Sequence, residues 1–151
     1  MIRMKRTTEG ECRFCDIISS KESDYKVFED DISMAFLDKR PLFIGHTLLV
    51  PKKHTETLYD VPNRVIGRLF SDVKFVAKGV ELAMHADGTF IAINNKVSQS
   101  VPHLHIHIVP RKYNERLKGF FWPRTEYKNE SEARETMDSI KKELALLKKQ
   151  E

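Results

Sequence analysis

His103-Leu104-His105-Ile106-His107-Ile108-Val109 sets three of the chain's six histidines at every second position, with aliphatic residues between them. Strict alternation is the mark of a β-strand with one face buried. At a rise of about 3.3 Å per residue, neighbouring histidines on one face stand roughly 6.6 Å apart. Leu104, Ile106 and Ile108 then point the other way, into a core. Three solvated histidines on a polar face would be the plain alternative. Histidine has no special strand propensity, however, so the backbone alone does not call for such a row. One metal ion cannot take all three from a straight strand. The outer pair would lie about 13 Å apart, against a Zn–N bond of about 2.0–2.1 Å. The pattern therefore predicts a division of labour, one end held by structure and the middle free for chemistry.

The rest of the chain must supply the partners for that row. Its 151 residues, 40% hydrophobic and 32% charged, read as one soluble globular domain. A chain of this size buries about 68–70% of its unfolded surface, enough for a real core. No apolar stretch approaches the roughly 20 residues of a membrane span. The basic start, Met1 to Arg6, has no apolar region behind it, so a cytoplasmic location is expected. The formal net charge of +4 suits an anionic ligand without demanding one. Lys141, Lys142, Lys148 and Lys149 read as a solvated helix face rather than a nucleic-acid patch, since no aromatic residues interleave them. Neither membrane nor nucleic acid is an expected partner.

No internal repeat or linker divides the sequence. Residues 1–10 read as a flexible tail, and 11–151 as one domain with a C-terminal helical extension. Cys12 to Ser20 reads as a short helix with Phe14, Ile17 and Ile18 inward. Tyr25–Phe28 and Ser33–Leu37 read as strands joined by the Glu29-Asp30-Asp31 turn. A loop around Pro41 leads to a third strand, His46–Val50, stopped by Pro51. Pro62 suits the first turn of a long helix, in which Ile66, Leu69, Phe70, Val73, Val76, Ala77 and Val80 keep helical spacing for about six turns. Thr89–Ile93 is the fourth strand and the histidine row the fifth. Met137, Ile140, Leu144 and Leu147 make a narrow stripe on a C-terminal helix, expected to pack on the same core. Short turns between strands, and one long helix between the third and fourth, imply an α+β fold. Its sheet would be antiparallel and five-stranded.

Cys12 and Cys15 are the only cysteines, spaced Cys-Arg-Phe-Cys. A redox pair of this spacing would follow a strand and open a helix, yet only a short charged tail precedes it. Metal binding is the better reading. Two thiolates need two more ligands to close a tetrahedral zinc site, and such a saturated site is structural rather than catalytic. His46, His54, His85 and one member of the row are the candidates. Spacing alone does not choose among them.

The histidine row matches the His-φ-His-φ-His-φ-φ signature of the histidine triad (HIT) family. Further blocks are similar to that family's and stand in its order. They are Cys12-Arg13-Phe14-Cys15-Asp16-Ile17-Ile18, Ala35-Phe36-Leu37-Asp38, Gly45 to His54, and Gln99-Ser100-Val101-Pro102. The resemblance covers about residues 11–111. It implies a five-stranded antiparallel sheet with a long helix, usually dimerised into ten strands. It implies purine nucleotide binding and cleavage at the α-phosphate, with release of a nucleoside monophosphate. It implies a structural zinc on Cys12, Cys15, His54 and His103. His105 would be the nucleophile, and the backbone carbonyl of His103 would stabilise its ring. Asp38 would hold the ribose hydroxyls, and Phe14, Ile17 and Phe36 would wall the base. His107, His46, Asn94, Gln99 and Ser100 would orient and neutralise the phosphate. His85, on the long helix, matches no position and reads as a surface residue.

An imidazole of ordinary pKa, about 6.5, is largely neutral at pH 7, so it can attack phosphorus without a separate strong base. Two departures stand out. The loop Asn94-Asn95-Lys96-Val97-Ser98 is about two residues shorter than the family's and lacks its glycine, which leaves Asn94 and Asn95 in competition for one role. Trp122, in the segment after the row, would either cover the site or anchor the last helix. A phosphoramidase or general nucleotidyl hydrolase is the preferred reading. The alternatives are a dinucleoside polyphosphate hydrolase, or a zinc-stabilised nucleotide-binding regulator with negligible turnover.

Overall fold

A computed structural model describes residues 11–20, 25–115, 127–132 and 134. The chain falls into two compact units, Met1–Glu115 and Arg116–Glu151. In the second, Arg134 pairs with Glu130 at 2.6 Å, one helical turn apart. Residues 1–10, expected as a tail, Trp122 and the stripe from Met137 to Leu147 lie outside the described residues.

The first unit runs α1 (Arg13–Ser19), β1 (Lys26–Glu29), β2 (Ser33–Leu37) and β3 (Thr47–Pro51). A 3-10 turn (Leu58–Asp60), α2 (Asn63–Ala83), β4 (Gly88–Ile93) and β5 (Ile106–Arg111) follow. The five strands form one sheet in the order β1-β2-β3-β5-β4. Every neighbouring pair is antiparallel. This is the predicted α+β class. No helix among the described residues is long and apolar enough to cross a membrane.

Alternation sorts the side chains of the central strands onto two faces. Ala35, Leu49, Leu104, Ile106 and Ile108 meet Leu69, Val73, Val76 and Ala77 of α2. Met34, Phe36, Leu48 and Val50 turn to the opposite face, where Cys12 and Phe14 cover them. With both faces covered, every residue of β3 is buried. The sheet is thus a partition with α2 behind it and α1 in front. The functional side chains share the α1 side.

Several elements differ from the sequence reading; β3 runs Thr47–Pro51, so Pro51, paired with Ser33, is its last residue rather than the stop beyond it. Tyr25 does not begin β1, because its φ of 70° is a left-handed conformation that no strand residue adopts. The strand starts at Lys26 and bulges before Phe28. His85 lies beyond α2, whose C-cap is Met84, and its φ of 49° marks the turn out of the helix. The largest difference is in β5, which begins at Ile106 rather than His103. Its partners explain this. Ile106 is the last residue of β5 to pair with both β3 and β4. Further on, the Pro51 carbonyl that could have continued the ladder accepts from the His103 ring at 2.8 Å. The Leu104 N–H turns instead to Thr55 O at 2.6 Å. The alternation of faces nevertheless continues past the end of the ladder, and Leu104 remains buried with the α2 cluster.

Candidate active site

On the α1 side a cleft of about 590 Å³ opens between α1 and the β2–β3 loop. Phe14 and Ile17 of α1, Phe36 and Leu48 of the sheet, and Val101 give it apolar walls. Phe14 is the pivot of that wall. Its ring meets Phe36 edge-on at 5.5 Å between centroids, and His105 at 5.2 Å. His105, His107, Ser100 and Asp38 add polar groups to the same lining.

Each ring of the row has a different partner, and the partner sets its proton. His103 is fully buried. Its Nε2–H donates to Pro51 O, so Nδ1 carries a lone pair toward Cys12 Sγ at 3.3 Å and Cys15 Sγ at 3.6 Å. His105 donates Nδ1–H to the His103 carbonyl at 2.8 Å, which leaves Nε2 as its basic nitrogen. For His107 the chain of donors is longer. The Leu42 N–H donates to His46 Nδ1 at 3.1 Å, so the neutral His46 ring carries its proton on Nε2. That proton is donated to His107 Nδ1 at 3.0 Å. His107 therefore holds its own proton on Nε2, as a donor.

Burial keeps these rings neutral. Desolvation pushes His107 down to about 4, and the neighbouring His105 and His46 add to the fall while Asp38 opposes it. Burial likewise lowers His103 to about 4, against the bond to Pro51. His105 and His46 are also lowered by burial, with Asp38 resisting in both cases.

Among the described residues, two groups of side chains converge closely enough to hold a metal ion. In the first, the donor atoms of Cys12, Cys15, His54 and His103 all lie within 4.8 Å of one another. Cys15 Sγ is 3.3 Å from His54 Nδ1. A tetrahedral zinc with Zn–S near 2.3 Å and Zn–N near 2.0 Å needs S···N edges of roughly 3.5 Å. The four residues fit. The tautomer of His103, fixed by Pro51 O, is the one that presents a lone pair to the ion. The second group is Asp38, His46 and His107. It fits poorly. A lone pair on His46 Nε2 would put a proton on Nδ1, facing the N–H of Leu42.

The HIT domain profile matches residues 20–114. The chain belongs to the HIT family. It is 36% identical over 108 residues to an adenylylsulfatase, HINT3, of Arabidopsis thaliana, a match covering 70% of this chain but 55% of the plant protein. It is 34% identical over 122 residues to the adenosine 5'-monophosphoramidase HNT1 of Saccharomyces cerevisiae, covering 80% of this chain and 75% of the yeast protein. Among solved structures, a zinc-bound histidine triad protein of Mycobacterium smegmatis superposes with a TM-score of 0.67 at 33% identity. That match covers 88% of this chain and 99% of the other.

Within this HIT chain, the fold brings Phe14, Ile17, Phe36, Asp38, Ser100, His105 and His107 to one cleft. His46 is buried behind His107 and does not line it. Asn94 and Gln99 do not line it either. The Gln99 side chain is committed to backbone, donating to Glu56 O at 2.5 Å and accepting from the Lys96 N–H at 2.8 Å. Asn95 accepts from the Leu58 N–H at 2.9 Å, which ties the shortened loop to the turn before α2. Sequence reasoning missed Arg13, Lys39 and Arg40, three cations in the cleft lining. The only signal for them was adjacency, since Arg13 precedes Phe14 and the other two follow Asp38.

Proposed function

We propose that this HIT protein hydrolyses purine nucleotide conjugates at the α-phosphate. The reaction would pass through a nucleotidyl-histidine on His105 and release a nucleoside monophosphate. The observation that carries this reading is the bond from His105 Nδ1 to the His103 carbonyl. It fixes the lone pair on Nε2 and gives the ring a fixed acceptor as positive charge develops on it. Nε2 attacks phosphorus as the bond to the leaving group breaks; His107 Nε2–H donates a hydrogen bond to the reacting phosphate group, and the departing atom takes its proton from water. A second water then displaces the nucleotide from His105, its hydroxyl going to phosphorus and its proton to solvent, which restores the ring. The relatives named adenylylsulfatase and adenosine 5'-monophosphoramidase support a hydrolase of this class.

Phe14, Ile17 and Phe36 wall the base, Asp38 meets the ribose, and Ser100 meets the phosphate. His46 acts by orienting His107, and Gln99 by holding the loop that carries Ser100. Asn94 adds a polar contact beside that loop. Cys12, Cys15, His54 and His103 hold a structural zinc, which would supply a rigid tie among α1, the end of β3 and the entry to β5. β4 lies at one end of the sheet order, beside a groove lined by Phe70, Val73, Ala77 and Ile91 together with Lys74, Lys78 and Glu81, and a homodimer would form across this edge. Light scattering should give twice the 17.6 kDa chain mass at micromolar concentration. A monomer mass throughout would remove the dimer.

His105→Asn tests the chemistry. Asparagine keeps a polar side chain of similar reach but has no nucleophilic ring nitrogen. The variant should retain its fold and bind nucleoside monophosphate, with turnover reduced at least about a thousandfold. Rapid quench of the wild type with labelled adenosine phosphoramidate should trap the label on His105. Near wild-type kcat in the purified variant would show that the covalent step is wrong.

A further inference from the structure

Cys12 and Cys15 are the chain's two cysteines, and the fold sets them one helical turn apart. Cys12 is the N-cap of α1, and its carbonyl accepts the Asp16 N–H at 3.0 Å, which closes the first turn. Helical rise and radius put Cα atoms three residues apart about 5 Å from each other, inside the range of about 4.4–6.8 Å that a disulfide spans. The two sulfurs lie within 4.8 Å of each other. Cys12 is buried and Cys15 half-buried, so a small molecule from solvent meets Cys15 first. Phe14 stands between them in sequence and lines the cleft. Its ring meets His103 edge-on at 5.8 Å, besides its contacts to Phe36 and His105. With seven residues, α1 is too short to hold a helix by itself. Its hold on the sheet rests on the two sulfurs and the small apolar cluster around Phe14.

We propose that Cys12 and Cys15 form an oxidation site for a hydroperoxide, and that the resulting disulfide expels zinc and frees the α1 wall of the cleft. This rests on the readings above that the four residues hold zinc and that the cleft holds a nucleotide. On the metal both sulfurs are thiolates, the nucleophilic form. The Cys15 sulfur attacks one peroxide oxygen, the O–O bond breaks, and the departing hydroxide takes a proton from solvent. The Cys12 sulfur then attacks the Cys15 sulfenic acid. The S–S bond forms, the S–O bond breaks, and a second hydroxide is protonated by solvent. Together the sulfurs give two electrons to the peroxide, and zinc leaves as the dication. The consequence runs through His103. Its ring is fully buried and its Nε2–H is spent on Pro51 O, so Nδ1 needs either the ion or an S–H to face. A disulfide offers neither, and a buried acceptor left unpaired is costly. No longer tied to His54 and His103, α1 is the element that moves. Phe14 and Ile17 move with it, and the cleft loses that apolar wall.

The test treats zinc-loaded protein with hydrogen peroxide. A chromogenic chelator should report zinc release, and the intact chain should weigh two hydrogens less than the reduced one. Calorimetry should find adenosine 5'-monophosphate bound at least roughly fivefold more weakly, the lower end of coupling between linked sites. Dithiothreitol with added zinc should restore mass, metal and affinity together. Zinc retained through the treatment overturns the proposal. So does zinc lost with added oxygens that dithiothreitol does not remove. A disulfide form that binds the nucleotide as tightly as before overturns it too. Global unfolding of the oxidised chain has the same force, since the core under α2 contains neither cysteine. Untreated protein that binds the nucleotide but no zinc overturns the metal reading and this proposal, and leaves the hydrolase reading standing. Untreated protein that holds zinc but binds no nucleotide overturns the hydrolase reading, and mass and zinc release still decide the oxidation site.

Discussion

His107 shows how much a single residue's setting adds to its chemistry. Burial holds its pKa down to about 4, so the ring is neutral in the fold and free to charge when the chain unfolds. Between the unfolded value of about 6.5 and the folded value, the unfolded chain binds the extra proton. The contribution to stability is therefore complete above about pH 6.5 and is lost as pH falls toward 4. Urea unfolding should show a midpoint that drops between pH 7.5 and pH 5, and His107→Gln should drop less. Parallel profiles for the two proteins would mean that the ring is not held neutral. Glu29 behaves differently. Lys26 and Lys52 hold it down to about 2 through hydrogen bonds, but at an exposed site, where the pairing adds little.

At the scale of the element, the turn into β3 is the most constrained. Gly45 has a φ of +96°, and a Cβ there would come within 2.5 Å of Met84 Cγ and 2.7 Å of its Sδ. Gly45→Ala should therefore cost about 1–3 kcal/mol from backbone strain and overpacking together. It should also lower kcat, because the next residue is His46, whose ring orients His107. Denaturation and kinetics on the same preparation check both effects. A variant as stable and as active as the wild type would show that the turn tolerates a side chain. The strands and α2 were legible in the sequence because alternation and helical spacing are local consequences of which face is buried. The end of β5 was not, since it depends on Pro51 O being taken by a ring 52 residues away. The engagement of Gln99 with Glu56 O was hidden for the same reason. Spacing left His54 and His103 among several candidates and only the family resemblance singled them out, because their convergence with Cys12 and Cys15 is a property of the folded sheet.

For the molecule as a whole, the cysteine–histidine cluster gathers residues separated by up to 91 positions. It joins α1 to the end of β3 and the entry to β5. We expect one zinc per chain by elemental analysis, absent from Cys12→Ala/Cys15→Ala. Chelation should lower the melting temperature by several degrees at least, in line with the loss of a structural tie. Full zinc content in the double variant would place the ion elsewhere.

The three rings also bear on portability. Pro51 O of β3 sets the proton of His103, a main-chain carbonyl two residues upstream sets that of His105, and the Leu42 amide sets that of His107 through His46. A synthetic peptide of residues 103–109 would carry the same letters without the partners that set the protons of His103 and His107. Grafting the motif onto another scaffold would fail at its first and last rings unless Pro51 O, the His46 ring and the Leu42 amide travelled with it. What must be transplanted is the neighbourhood.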